Sequence, residues 1–274
     1  MEFDQELKLG IFGCGSMGEA IAKGVLEAGV VYSADLYLYD IALDKSSYLK
    51  ERLNVNVTNS SEELVNSCNT ILLAVKPQDL GDLLKEVSHL IDSSKLVISI
   101  AAGVSIKSIK NILSKKARVA RVMPNMGALE NHSVSALCHD DQSTAEDKEL
   151  SKKIFKSIGD VIEVDERHMD AATAVSGSGP AYFFYVTEML EEAAVAMGID
   201  EDRARQLAVK TAIASAVLLR DSGYSAGSLR KRVASKGGTT EAAFSVFEKK
   251  KLHDIFLEGV KAARKRSREL SGGE

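Results

Sequence analysis

Leu9-Gly10-Ile11-Phe12-Gly13-Cys14-Gly15-Ser16-Met17-Gly18 reads as an apolar strand that runs straight into a glycine-rich turn. Residues 13–18 form a G-x-G-x-x-G, a pattern that means little alone and much between a strand and a helix. The amphipathic stretch Met17–Ala28 supplies that helix. Gly13 permits the tight turn, Gly15 lets backbone approach a pyrophosphate, and Gly18 lets helix pack on strand. The unpaired amides at the helix start then face the phosphate charge. Gly13, Cys14, Gly15, Ser16, Met17 and Gly18 are therefore candidate dinucleotide contacts. A second β-rich run ends at Leu38-Tyr39-Asp40, with Asp40 22 residues beyond Gly18. An acidic residue there accepts hydrogen bonds from the adenosine ribose and repels a 2′-phosphate, which points to NADH before NADPH. Lys45 is near enough in sequence to offset that charge.

Outward from this motif the first half alternates strands and helices. Strands are expected over Lys8–Phe12, Asp35–Tyr39, Val55–Val57, Thr70–Val75, Leu96–Ile100, Arg118–Met123, Val134–Leu137 and Val161–Val164. Helical stretches such as Met17–Ala28 and Gln78–Ile91 lie between most of them. Alternation of this kind implies parallel βαβ units in a doubly wound α/β sheet. Ile71-Leu72-Leu73-Ala74-Val75 is apolar at every position, as a strand covered on both faces should be. Beyond Glu166 the pattern becomes helical and Ala-rich: Asp170–Ala196, Glu201–Asp221, Ser228–Ala234, Thr239–Glu248 and Leu252–Leu270. The division falls near Arg167, giving a nucleotide-binding domain over 1–166 and an all-helical domain over 167–274. The Ala-rich helices make a thin domain by themselves and are expected to pack against another subunit.

Composition bounds the rest. A chain of 274 residues suggests about two domains at roughly 150 residues each. Lys and Arg total 35 against 39 Asp and Glu, so the net charge of −4 argues against a nucleic-acid partner. There is no tryptophan and aromatic residues are 5 %, which disfavours a base-stacking platform. Cys14, Cys68 and Cys138 are far apart with no CxxC pair, as expected of reduced thiols in the cytoplasm. The N-terminal residues lack a signal-peptide pattern. The longest mostly apolar stretch, Leu96–Ile106, is too short to span a bilayer. His89, His132, His139, His168 and His253 show no metal-ligand spacing, so no metal is expected.

Three further segments follow strands four, five and six: Ala74-Val75-Lys76-Pro77-Gln78, Ala101-Ala102-Gly103-Val104, and Met123-Pro124-Asn125. Ligands of open parallel sheets bind at the carboxyl ends of strands, so these segments join the glycine loop as candidate cofactor contacts. The helical half adds Ser176-Gly177-Ser178-Gly179-Pro180-Ala181-Tyr182 and Ser235-Lys236-Gly237-Gly238-Thr239-Thr240-Glu241-Ala242. In order and spacing, from Lys8 to Leu270, the chain resembles the pyrroline-5-carboxylate reductase family. The Gly-Gly-Thr-Thr stretch is the most specific part of the likeness.

The resemblance implies a Rossmann domain followed by a helical dimerisation domain. It also implies homodimers that build each active site jointly and can assemble into a pentamer of dimers. It implies reduction of the C=N bond of pyrroline-5-carboxylate to proline with NADPH or NADH. The loop Ser235, Gly237, Gly238, Thr239 and Thr240 would hold the substrate carboxylate, and Thr240 would reach the ring nitrogen as the catalytic hydrogen-bond partner. The residues agree with that chemistry. Hydride transfer to a cyclic imine needs positioning above all, and glycine amides at a helix start suit a carboxylate. Thr239 as a plain helix N-cap is the simpler reading of the same stretch.

Departures from the family pattern are local. Met126-Gly127 stands where Thr-Pro is usual, His132 near a usual Gly, Lys236 in place of Pro, and Asp40 where small or hydroxyl residues accompany NADP. They bear on cofactor preference and on the substrate loop. One rival is a β-hydroxyacid dehydrogenase-like enzyme, which would carry a catalytic Lys where this chain has Phe183; without it, alcohol oxidation has no proton acceptor. Another is a non-catalytic NAD(P)-binding regulatory protein of the same fold.

Overall fold

The computed structural model describes residues 7–113 and 117–270. They form two compact units, one running to Ser178 and taking in the C-terminal stretch from Ala263, the other spanning Gly179–Ala262.

The first unit runs β1 (Leu9–Phe12), α1 (Ser16–Glu27), β2 (Leu36–Tyr39), α2 (Leu43–Leu53), β3 (Asn56–Val57), α3 (Ser61–Ser67), β4 (Thr70–Leu73), α4 (Pro77–Val87), β5 (Leu96–Ser99), α5 (Ile106–Ile112), β6 (Arg118–Met123), β7 (Ser133–His139), α6 (Ala145–Lys156), β8 (Gly159–Glu163) and α7 (Met169–Ala172). The eight strands make one sheet in the order β3-β2-β1-β4-β5-β6-β7-β8. The order reverses at β1, where chain from β3 and chain from β4 run to opposite sides.

Alternate side chains of each strand enter opposite layers. Ile11, Leu72 and Ile98 join Ile21 and Val25 of α1 and Phe155 of α6. Phe12, Ile71, Leu73 and Val97 join Leu64 of α3, Leu80 and Leu84 of α4 and Ile109 of α5. Helices on both faces explain why β1, β4 and β5 are buried at every position. Where helices begin, local chemistry sets the point. Thr144 and Asp147 close a capping box at the head of α6, and Asp147 also takes Arg118 at 2.8 Å.

The structure corrects the expected all-parallel sheet at one pair. β7 runs antiparallel to β6, while the other neighbours are parallel. The connection between them is a short 3-10 turn over Met126–Glu130, and a parallel crossover needs about a dozen residues or more. β4 and β5 are also shorter than expected, ending at Leu73 and Ser99.

The second unit is helical: α8 (Gly179–Ala196), α9 (Glu201–Asp221), α10 (Ala226–Val233), α11 (Thr239–Lys249) and the first part of α12 (Leu252–Leu270). Its helices carry much exposed apolar surface, including Phe183, Phe184, Ile213 and Leu218. The single helix expected over Asp170–Ala196 is interrupted. Between α7 and α8 the chain makes a π-turn over Thr173–Gly177. No helix among the described residues is long and apolar enough to cross a membrane.

Candidate active site

The glycine loop has the geometry its sequence demands. Gly13 sits at φ +99°, in the region glycine favours, and donates its N–H to the Tyr39 carbonyl at 2.8 Å. A Cβ at Gly18 would lie 1.9 Å from the Gly13 carbonyl oxygen, so helix and turn touch with no room for a side chain. A Cβ at Gly15 would meet nothing within 4 Å. Gly15 is also the N-cap of α1, and no side chain caps that helix. Ser16, Met17 and Gly18 therefore open a helix whose first amides are offered to an outside acceptor. An open cradle over uncapped amides fits the pyrophosphate of a dinucleotide.

Asp40 follows β2 directly and is tied into that loop. One carboxylate oxygen accepts the Cys14 N–H at 2.7 Å and the other the Ala42 N–H at 2.8 Å. Each oxygen keeps a second lone pair for a ribose hydroxyl. Burial pushes the Cys14 thiol up to about 12, with the Asp40 charge adding to the shift and Lys45 opposing it. A thiol so placed is inert at neutral pH. Cys68 and Cys138 are likewise free, buried and pushed up to about 12 by burial.

The other cofactor candidates lie along the same edge. Phe12, Leu73 and Ser99 are register partners across β1, β4 and β5, and Ser99 pairs with Arg121 of β6. Ala74 and Val75 leave β4 beside Gly13. Lys76 caps α4, with Pro77 in its first turn. Ala101, Ala102 and Gly103 turn away after β5, with Gly103 at φ +72°. Met123 ends β6, and Pro124 and Asn125 follow.

Asn125, a candidate cofactor contact from its sequence, is also a structural hub, a role no local pattern announces. Its side-chain oxygen accepts the N–H groups of Gly127 (3.0 Å) and Val134 (3.3 Å). Its amide nitrogen donates to the Ser176 carbonyl at 3.1 Å, and the Ser176 hydroxyl donates to the Val134 carbonyl at 3.0 Å. The π-turn is thus pinned to the β6–β7 connection. A Cβ at Gly127 would come 2.3 Å from the His132 carbonyl oxygen. This close approach requires glycine at 127, and His132 is exposed.

Ser235–Thr240 belongs to the second unit and links α10 to α11. Gly237 has φ +72°, and Gly238 donates its N–H to the Ser235 carbonyl at 2.9 Å. Gly238, not Thr239, is the N-cap of α11, and no side-chain cap is present, which corrects the simpler capping reading. Thr239 and Thr240 are the first helical residues. Glu241 reaches back so that its carboxylate accepts the Gly237 N–H at 2.6 Å. The nest thus already receives one carboxylate, from its own helix. Lys236 is exposed.

The fold and this strand edge define a Rossmann-type oxidoreductase carrying a helical second half. Residues 166–270 match a family model described as pyrroline-5-carboxylate reductase dimerisation, and residues 8–103 match one described as NADP oxidoreductase, coenzyme F420-dependent. The pyrroline-5-carboxylate reductase of Methanosarcina acetivorans is 35 % identical over 263 residues, covering 96 % of this chain and 97 % of that one. A pyrroline-5-carboxylate reductase structure from Coxiella burnetii superposes with TM-score 0.90 at 31 % identity, covering 97 % of this chain and 99 % of that one. An NADP-bound pyrroline carboxylate reductase from Plasmodium falciparum gives TM-score 0.87 at 30 % identity, over 97 % and 98 % of the two chains. The chain belongs to the pyrroline-5-carboxylate reductase family.

Proposed function

We propose that this protein reduces the C=N bond of 1-pyrroline-5-carboxylate to L-proline, the last step of proline synthesis, using NADH or NADPH. Near full-length similarity to reductases of that name carries the reading. The open cradle at Gly15 supports it, since a dinucleotide needs that space. When bound, the reduced dinucleotide supplies the hydride, and the imine carbon receives it. Residues 13–18 hold the pyrophosphate, Asp40 the adenosine ribose, and the segments Ala74–Pro77, Ala101–Gly103 and Met123–Asn125 the remainder. The amides of Gly237 and Thr239 take the substrate carboxylate, which replaces the Glu241 carboxylate on Gly237, while Gly238 stays bonded to the Ser235 carbonyl and Ser235 lies beside them. Thr240 orients the ring nitrogen, which carries a proton in the reactive iminium. A protonated iminium is electrophilic enough that positioning is the main demand on the protein.

In domain terms, residues 1–166 serve the dinucleotide and 167–274 dimerisation and substrate, except that 167–178 and the stretch from Ala263 fold with the first unit. The exposed Phe183, Phe184, Ile213 and Leu218 support a homodimer, with a pentamer of dimers as the larger assembly. A monomer by light scattering at micromolar concentration would remove the dimer. Free, buried cysteines suit a cytoplasmic location.

The deciding assay is loss of reduced-nicotinamide absorbance with pyrroline-5-carboxylate, run with both dinucleotides. Binding without turnover would instead support a regulatory protein. Asp40 leads us to expect NADH to be preferred. Asp40→Asn removes the charge and leaves one oxygen acceptor for the loop amides. The NADPH-to-NADH ratio of kcat/KM should rise about tenfold, which corresponds to about 1.4 kcal/mol. A wild type that already prefers NADPH strongly would end this reading of Asp40.

A further inference from the structure

Below the loop after β5 lies a partly buried polar network with no part in the chemistry proposed above. Arg121 of β6 is only 4 % exposed, and its guanidinium faces Glu166 Oε1 at 3.6 Å and Asp170 Oδ1 at 3.8 Å. Glu166 Oε1 also accepts the N–H of Ile106, the first residue of α5, at 2.6 Å. Asp170 Oδ1 accepts the hydroxyl of Ser267 at 2.8 Å. Ser267 is itself buried, 5 % exposed, near the end of α12.

One turn further on, Leu270 packs against Gly103. A Cβ built at Gly103 would come within 2.7 Å of the Leu270 Cβ. The segment Ala101–Gly103 is therefore fixed from two directions. Its continuation into α5 is held through Ile106 and Glu166, and its glycine is covered by Leu270. Burying these charges contributes little net stability, because desolvation offsets attraction. What the network supplies is a set geometry in which β6, the start of α5, α7 and α12 share one guanidinium.

We propose that the last turns of α12 are a positioning element for the dinucleotide. Ser267, through Asp170 and Arg121, and Leu270, by direct contact, set the backbone of Ala101–Gly103 on which the nicotinamide end rests. This depends on the assignment of Ala101–Gly103 to the dinucleotide made above. Both residues act through others and touch no reacting atom.

The test uses Ser267→Ala and Leu270→Gly, which removes the Cβ that meets Gly103, in the full chain. Without ligand, amide hydrogen exchange across residues 100–106 should become about tenfold faster in each variant. The Kd for the preferred dinucleotide, by calorimetry, should rise about fivefold while the KM for pyrroline-5-carboxylate stays unchanged. Ser267→Thr, which keeps the hydroxyl, should restore wild-type values. Exchange and Kd within about twofold of wild type in both variants would overturn the proposal. So would a lowered melting temperature with those two readouts unmoved, since that is a structural role only. A separate control isolates the underlying assignment: in the wild type, added dinucleotide must slow exchange across 100–106. If it does not, the loop is misassigned, and that failure is visible without any variant.

Discussion

Gly15→Val should lower dinucleotide affinity about 100-fold or more while leaving the fold in place. The backbone at Gly15 is extended, φ −74° and ψ −178°, which any residue adopts. A Cβ there meets nothing within 4 Å. Valine is a poorer N-cap than glycine, so a cost of about 1 kcal/mol in unfolding is allowed for. The space it fills is the space through which a pyrophosphate must approach the amides of α1. Losing that approach removes charge-assisted hydrogen bonds worth about 2.7 kcal/mol together, which is the stated factor. Gly18→Ala provides the contrast within one motif. Its Cβ would overlap the Gly13 carbonyl at 1.9 Å, so helix and turn must part, at about 3 kcal/mol of stability. Urea unfolding and calorimetric titration with NADH and NADPH separate the two. One glycine serves the ligand and the other the fold. Wild-type affinity in Gly15→Val would mean the dinucleotide does not use this loop.

How far such residues were legible depends on which force places them. β1, β4 and β5 were legible because a parallel strand buried on both faces must be apolar throughout, as β4 is. Strand direction is a different matter. Periodicity is the same for either direction, and β7 is turned antiparallel by the length of its connection to β6. That length is in the sequence: the stretch from Pro124 to His132 is too short for a crossover helix. The π-turn was not legible. Asp170–Ala196 has helical character throughout, and the interruption is held by Asn125, 51 residues before Ser176. No local signal encodes a contact of that range. Arg121 shows a related gap. In Arg118-Val119-Ala120-Arg121-Val122-Met123 a charge occupies a buried strand position, which announces partners without naming them. Glu166, Asp170 and Ser267 come from the last strand's exit and the C-terminal helix, and only the fold brings them together. Before α11 the motif marked Gly237 to Thr240 correctly as a helix start. The exact capping position moved by one residue, because the extended backbone falls on Gly238.

Thr240→Ala should reduce kcat/KM for pyrroline-5-carboxylate by about 10- to 100-fold. Thr240 is the second residue of α11, after an N-cap with no side-chain partner, and it is half-buried. Alanine is a better helix former than threonine by a few tenths of a kcal/mol, so α11 and its loop persist. The backbone amides of the loop before α11 are untouched by the change. The hydroxyl and the methyl group are lost, and with the hydroxyl the proposed partner of the ring nitrogen. Because the carboxylate contacts remain, the loss should fall mainly on kcat, with KM changing by less than about threefold. Dinucleotide Kd should not move. Thr240→Ser, which restores the hydroxyl without the methyl group, should recover most of the rate. If instead KM rises and kcat holds, the hydroxyl binds substrate equally before and during hydride transfer, and its role is affinity alone. An unchanged kcat/KM would take Thr240 out of the mechanism and leave orientation of the imine to the amide nest.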